Sequence, residues 1–456
     1  MGNQFGKSLR FWMSKMKIKE SELAGALSYD ATYISKWMNG SKLPSARNAE
    51  KIITQIADFV MERIEGAAET KKLSQRQECY MELKIAYAND SSYLAFQSYN
   101  NSPMFFIDSR RTLFQLTSAA FLWAVNMCDR RICITATFDI FKLYGEEFKG
   151  LMSQISEAGV EKIELKLALT PEDMISQGQF YAANILNTIG DFDYIEMSIV
   201  CRKAENPNII VINDLFCLQV LWNMSGELSA VFSMENKIIN KFSNLCRRIM
   251  ENSEKILNFA DPERLRRTNV QLDSYSDKRQ WHFFNEPPAI LFPEEIMDIF
   301  IEHTDDKNYA GYLMNLKNVF TKQTKKAQID LVIYSSMLNQ YLTDGNISVG
   351  NVCHHLTPEQ VRSHLSYLSQ VMTQNPDLKV YVIRDTVVLS EEMRNLPSIF
   401  LDTYSLNIEN SKNHLNDNYH ISMDPCMRMA FQQFFEAMLN KPFCNRLSAE
   451  DVLRYL

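Results

Sequence analysis

Residues 20–48 read Glu20-Ser21-Glu22-Leu23-Ala24-Gly25-Ala26-Leu27-Ser28-Tyr29-Asp30-Ala31-Thr32-Tyr33-Ile34-Ser35-Lys36-Trp37-Met38-Asn39-Gly40-Ser41-Lys42-Leu43-Pro44-Ser45-Ala46-Arg47-Asn48. Leu23, Ala24 and Leu27 recur at helical spacing, which predicts a helix over Glu20 to Leu27. Ala24 and Gly25 are small enough for two helices to approach closely there. Ser28-Tyr29-Asp30 reads as a turn, with Asp30 as N-cap of a helix over Ala31 to Met38. Asn39-Gly40 closes that helix, the glycine supplying a left-handed residue. Ser45 is placed to cap a further helix from Ala46, whose apolar stripe is Ile52, Ile53, Ile56 and Phe59. Upstream, Leu9, Phe11, Trp12 and Met16 supply the apolar face of a first helix.

Leu23-Ala24, followed by Ile34-Ser35-x-Trp37-x-x-Gly40-x-x-x-Pro44-Ser45, resembles the helix-turn-helix of phage-repressor-like (XRE family) regulators. The resemblance covers residues 5–60 of 456. Glu20 and Met38 depart from it, standing where the family more often has Gln and Glu. It implies a head of four to five helices whose third helix enters the major groove of double-stranded DNA. Carried over by position, it makes Ala31, Thr32, Tyr33 and Lys36 base contacts. Lys36 can reach guanine O6/N7 or a phosphate, and Ala31 and the Thr32 methyl suit a thymine methyl. Asn39, Lys42, Ser45, Arg47 and Asn48 become phosphate contacts, which position without reading sequence. Leu23, Ala24, Ile34 and Trp37 fall in the core.

Charge agrees with that placement. The whole chain carries −7, yet residues 1–60 hold nine Lys or Arg against five Asp or Glu. A head at +4 on a body at −11 fits a nucleic-acid-binding module, and equally a chance excess of lysines on a solvated helix face; charge alone does not decide between them. Nine cysteines with no C-x-x-C pair read as buried free thiols in a reducing compartment. No apolar run reaches the ~18 residues of a membrane span, so a cytoplasmic location is expected.

At about 150 residues per domain, 456 residues suggest roughly three domains. The expected division is a head over 1–65, a helical linker over 66–102, and α/β halves over 103–260 and 261–456. In the first half, strands are expected at Phe105–Ile107, Ile132–Phe138, Ile163–Leu169, Tyr194–Val200, Ile209–Ile212 and Leu228–Phe232. Between and after them come helices at Leu113–Cys128, Phe148–Ala158 and Lys237–Ile256. This alternation indicates an α/β layered fold. The second half repeats the order. The strand at Ile329–Tyr334 matches that at Ile132, and Leu378–Ile383 matches Ile163–Leu169. His420-Ile421-Ser422-Met423-Asp424 matches Val231-Phe232-Ser233-Met234-Glu235, each followed by a helix. A duplicated unit of ~190 residues is the expectation, although α/β chains in general look self-similar at this level. The fold class is therefore α plus α/β: a helix-turn-helix domain before a duplicated α/β body.

Element order in the two halves also resembles the phospholipase-D-like fold. Its chemistry needs a His nucleophile with a Lys two residues on, and no H-x-K occurs in the chain. The resemblance therefore implies an absent active site. No G-x-S-x-G, G-x-x-x-x-G-K-[ST], H-E-x-x-H or G-x-G-x-x-G is present either. Cys353-His354-His355 with His364 is the only local Cys/His cluster, and its spacing matches no known ligand set. No metal or cofactor is expected.

The expected protein is a transcriptional regulator, by default a repressor, and not an enzyme. It binds a palindromic operator as a homodimer, and its body senses a small-molecule or peptide signal. Two alternatives stay open. One is an enzyme tethered to DNA by its head; the other is an antitoxin or defence component whose body binds a protein.

Overall fold

The computed structural model describes residues 4–63 without 46, positions 76, 79–80, 82–83, 86–87 and 90, and residues 104–454 without 108–109, 128–130, 158–159, 193, 223–227, 261–276, 286–290, 323–325, 350–351, 386–395 and 411–417. The expected break at Glu65-Gly66, Cys128 and His414 lie outside the described residues. Two compact units emerge. One comprises Met1–Asp129 with Leu215–Ile239; the other comprises Arg130–Asp214 with Asn240–Leu456.

The first unit opens with α1 (Gln4–Lys15), α2 (Glu20–Leu27), α3 (Ala31–Met38) and α4 (Ala49–Glu62). Their shared core holds Phe5, Leu9, Trp12, Leu23, Ala24, Leu27, Ile34, Trp37, Ile52, Ile53, Ile56 and Val60. Three local expectations are corrected. Phe11 is 52% exposed, because on a 3.6-residue turn it points away from Leu9 and Trp12, and Met13 is buried instead. Gly25 faces open space, so only Ala24 of the small pair meets a neighbouring helix. The fourth helix starts at Ala49, not Ala46, because Ser45 receives the Asn48 N–H on its carbonyl at 2.8 Å and closes a turn.

The helical residues between 76 and 90 add to this core. Cys79, Leu83 and Ala86 are buried in it. Trp12 Nε1 donates to Glu82 Oε2 at 2.6 Å, and Tyr87 Oη donates to the Pro44 carbonyl at 3.1 Å. Asp90 accepts from the backbone N–H groups of Gln4 and Phe5, at 3.0 and 2.8 Å. A carboxylate 85 residues downstream thus satisfies two of the four donors that α1 leaves unpaired.

Seventeen strands are described. They are β1 (Met104–Ile107), β2 (Arg131–Ala136), β3 (Lys162–Leu169), β4 (Ile195–Cys201), β5 (Ile209–Ile212), β6 (Phe216–Trp222), β7 (Leu228–Ser233), β8 (Lys255–Ala260), β9 (Arg279–Phe284), β10 (Gln328–Tyr334), β11 (Asn346–Val349), β12 (Val352–His355), β13 (Leu378–Ile383), β14 (Ser398–Asp402), β15 (Leu406–Asn410), β16 (Asn418–Ser422) and β17 (Cys444–Leu447). In the first unit β7 pairs antiparallel with both β1 and β6. The second unit runs β5-β2-β3-β4-β8-β16-β15-β14-β9-β10-β13-β17. Parallel β2, β3 and β4 are flanked by antiparallel β5 and β8. Parallel β9, β10 and β13 are flanked by antiparallel β14 and β17.

This pairing corrects the strand matching. The strand at Ile329 lies between two parallel neighbours, as β3 does, whereas the strand at Ile132 has one antiparallel neighbour. Central strands of such sheets are buried on both faces, as Ile329–Tyr334 is, its one charged residue, Asp330, being paired with Arg279. β6, β8, β9, β11, β12, β14, β15 and β17 are not among the expected strands. The helix expected to reach Ile256 ends at Asn252. Cys79, Cys217 and Cys246 are buried, but Cys353 is exposed. No described helix is long and apolar enough to cross a membrane.

Candidate nucleic-acid interface

Short-range capping builds the turn between α2 and α3. Glu22 Oε2 accepts from the Lys19 backbone N–H at 2.9 Å, which holds its carboxyl below the usual carboxylate range. Ser28 takes a left-handed conformation (φ 57°) and ends α2. Asp30 then caps α3, accepting from the Thr32 backbone N–H at 2.8 Å. That bond keeps the Asp30 carboxyl below its ordinary range, so the cap is ionised at neutral pH. Gly40, at φ 76°, turns the chain after α3.

The chain then folds back on α3. Lys42 N donates to the Lys36 carbonyl at 3.2 Å, and Ser41 N donates to Asn39 Oδ1 at 3.0 Å. This fixes where Lys42 leaves the backbone. Lys36 Nζ and Lys42 Nζ each lie 5.8 Å from the Tyr33 ring centroid. A ring with two ammonium groups beside it suits a surface that faces phosphates and base edges.

The sequence-derived positions can be placed individually. Ala31, Thr32, Tyr33 and Lys36 are exposed, and so are Asn39, Lys42, Ser45, Arg47 and Asn48. Beneath them Leu23, Ala24, Ile34 and Trp37 are buried, between 0% and 4% exposed. Sequence reasoning did not single out Tyr29. Its ring lies 5.2 Å from that of Trp37 and 5.9 Å, edge-on, from that of Tyr33. The only available signal was i, i+4 spacing from Tyr29 to Tyr33 across a turn.

The Cys353–His364 cluster is dispersed among separate partners. His354 Nε2 meets Tyr309 Oη at 2.8 Å and its ring stacks on Phe300. His355 Nδ1 meets Asn346 Oδ1 at 3.0 Å, and buried His364 Nδ1 meets Tyr341 Oη at 2.6 Å. Among the described residues no group of three His, Cys, Asp or Glu could hold a metal ion.

No protein-family description and no curated protein matches this sequence. Among solved structures, the chain is similar to TrmBL2, an archaeal chromatin protein described with a novel mode of DNA binding. The identity is 10% and the TM-score 0.24, over 52% of this chain and 88% of that one. It is also similar to phosphatidylserine synthase from Haemophilus influenzae Rd KW20, at 11% identity and TM-score 0.26, over 78% and 92% of the two chains. Scores of that size do not establish a shared fold, and neither protein's activity transfers on them.

Proposed function

We propose that this chain is a sequence-specific, DNA-binding transcriptional regulator of the cytoplasm. The observation that carries the reading is the exposure of all nine candidate contact residues around a capped α3 whose opposite side is core. The head binds double-stranded DNA through α3, as phage-repressor-like heads do. Two heads on one dyad raise affinity through effective concentration, which calls for a homodimer and a palindromic operator. The body is two copies of one unit, with β9, β10 and β13 answering to β2, β3 and β4. Support for the duplication comes from the shared pattern of parallel and antiparallel neighbours. It comes also from the joints after β7 and β16, where Ser233 and Ser422 Oγ accept from the Glu235 and Asp424 N–H groups at 3.2 and 3.1 Å. The body senses a signal by preferring it in one of two arrangements, and the bound head represses by occupying a promoter.

Selection from random double-stranded DNA with the purified full-length protein tests this. An enriched inverted repeat is expected. A failure to enrich any sequence at low salt overturns the reading.

A second reading, an enzyme tethered to DNA, draws on one polar cluster at the carboxyl ends of β10 and β13, where α/β sheets bind ligands. Ser335 Oγ donates to Asp385 Oδ1 at 2.6 Å, and the Ser336 N–H donates to the same oxygen at 3.0 Å. Burial opposes the Asp385 charge, but these bonds outweigh it and hold the carboxyl below its usual range. An acid so stabilised is a poor general base, and on this reading it acts by holding the Ser335 and Ser336 hydroxyls in place. This reading predicts a turnover that Asp385→Asn abolishes while leaving DNA binding intact.

A further inference from the structure

We infer that Tyr29 is a positioning residue for DNA sequence choice, and that the Tyr33 ring it supports reads the 5-methyl group of a thymine. This deepens the DNA-binding reading and rests on it. Trp37 is 2% exposed and belongs to the head core. The Tyr29 ring packs on it at 5.2 Å with the planes at 60°. The Tyr33 ring, 42% exposed, meets the Tyr29 ring edge-on at 5.9 Å. Three rings thus run from the core to the surface of α3. Offset and edge-on aromatic contacts favour a narrow range of orientations, so an exposed tyrosine that would otherwise sample several rotamers is held. The Lys36 and Lys42 ammonium groups each lie 5.8 Å from the centroid of the same ring.

A rigid aromatic surface in the major groove meets one apolar group on base edges, the thymine methyl. The flanking ammonium groups find acceptors on either side of it, guanine O6/N7 or phosphate oxygens. Removing a methyl from such a contact costs about fourfold in affinity. The phenol hydroxyl is not needed for it.

Deoxyuridine differs from thymidine only by that methyl. In the selected operator, each thymine is replaced singly by deoxyuridine, and binding to full-length protein is measured. One symmetric thymine is expected at which the replacement costs about fourfold per half-site. In Tyr33→Ala that cost disappears, and in Tyr33→Phe it stays. In Tyr29→Leu, which keeps an apolar filler against Trp37, the cost falls toward none although residue 29 does not touch DNA; Tyr29→Phe restores it. Retention of nonspecific DNA at low salt shows that each variant head is folded. Wild-type binding with no methyl-sensitive thymine, or an undiminished methyl effect in Tyr29→Leu, overturns the inference and leaves the DNA-binding reading standing. No DNA binding by the wild type at any salt overturns both.

Discussion

Asp90→Ala should loosen the start of the head from a distance of 85 residues in sequence. The carboxylate is 4% exposed and accepts from two backbone donors at the first turn of α1. A hydrogen bond to a charged acceptor contributes roughly 1.5–3 kcal/mol, and loss of a helix N-cap costs about 0.5–2 kcal/mol. One carboxylate serves both donors, and water can reach part of the vacated site, so the two figures do not add in full. The expected loss is roughly 2–3 kcal/mol of local stability, or about 30- to 160-fold faster opening of α1. Hydrogen exchange in the full-length protein reads this directly. Amides of α1 should accelerate by that factor, while amides of β3 and β10 in the other unit keep their wild-type rates. Asp90→Asn, which retains an acceptor but no charge, should fall between. Because Phe5, Leu9 and Trp12 share a core with Ile34 and Trp37, DNA affinity should fall in the same order. Exchange of α1 within threefold of wild type in Asp90→Ala would refute the argument that this carboxylate holds the helix.

Lys42→Ala should weaken every DNA sequence alike. It should flatten the salt dependence by about 0.9 per head, so that a dimer loses ~10-fold less affinity than wild type between 50 and 200 mM salt. Lys36→Ala and Thr32→Ala should instead relax base choice, each by about 1–3 kcal/mol at one operator position, read by competition with single-base variants. Burial lowers buried His282 and His420 to about 3, far below an unfolded value near 6.5. The unfolded chain therefore binds more protons below pH 6.5, and stability present at pH 7 is lost as pH falls, by about 2 kcal/mol per histidine at pH 5. In urea titrations at both pH values, His420→Gln should remove about half of that loss, since an amide oxygen can still accept from the Met197 N–H. Gly178→Ala should destabilise the second unit by roughly 1–3 kcal/mol, seen as a lower Tm. Its Cβ would meet Ala430 Cα at 2.7 Å, where two helices approach.

What could be read from the sequence is what neighbouring residues decide. The limits of α2 and α3 follow from Asp30 and Gly40, whose capping and left-handed roles need no distant partner. Exposure of Ala31, Thr32, Tyr33 and Lys36 fits the helical period that buries Ile34 and Trp37, while the other five candidate contacts, outside any helix, come from the resemblance. The misplaced start of α4 has a local cause too: Ser45 can cap with its side chain, yet its carbonyl closes a turn instead. The unread strands differ in kind. β15 carries Asn407, Glu409 and Asn410, residues that strands disfavour in isolation, and in β9 the polar Arg279, Gln280 and His282 break up any apolar run. Asn410 is tolerated because its Nδ2 donates to the carbonyls of Ile189 and Phe192, more than 200 residues away. Without β9, the strand at Ile329 is naturally set against β2, although its two parallel neighbours are those of β3. The same contrast holds within the interface. Lys36 and Lys42 are named as contacts by the resemblance, but their shared approach to Tyr33 depends on the loop bond from Lys42 N to the Lys36 carbonyl. The ring stack through Tyr29 likewise depends on the left-handed turn at Ser28. Capping signals define which residues stand exposed around α3; the turns they create define which of those residues lie together.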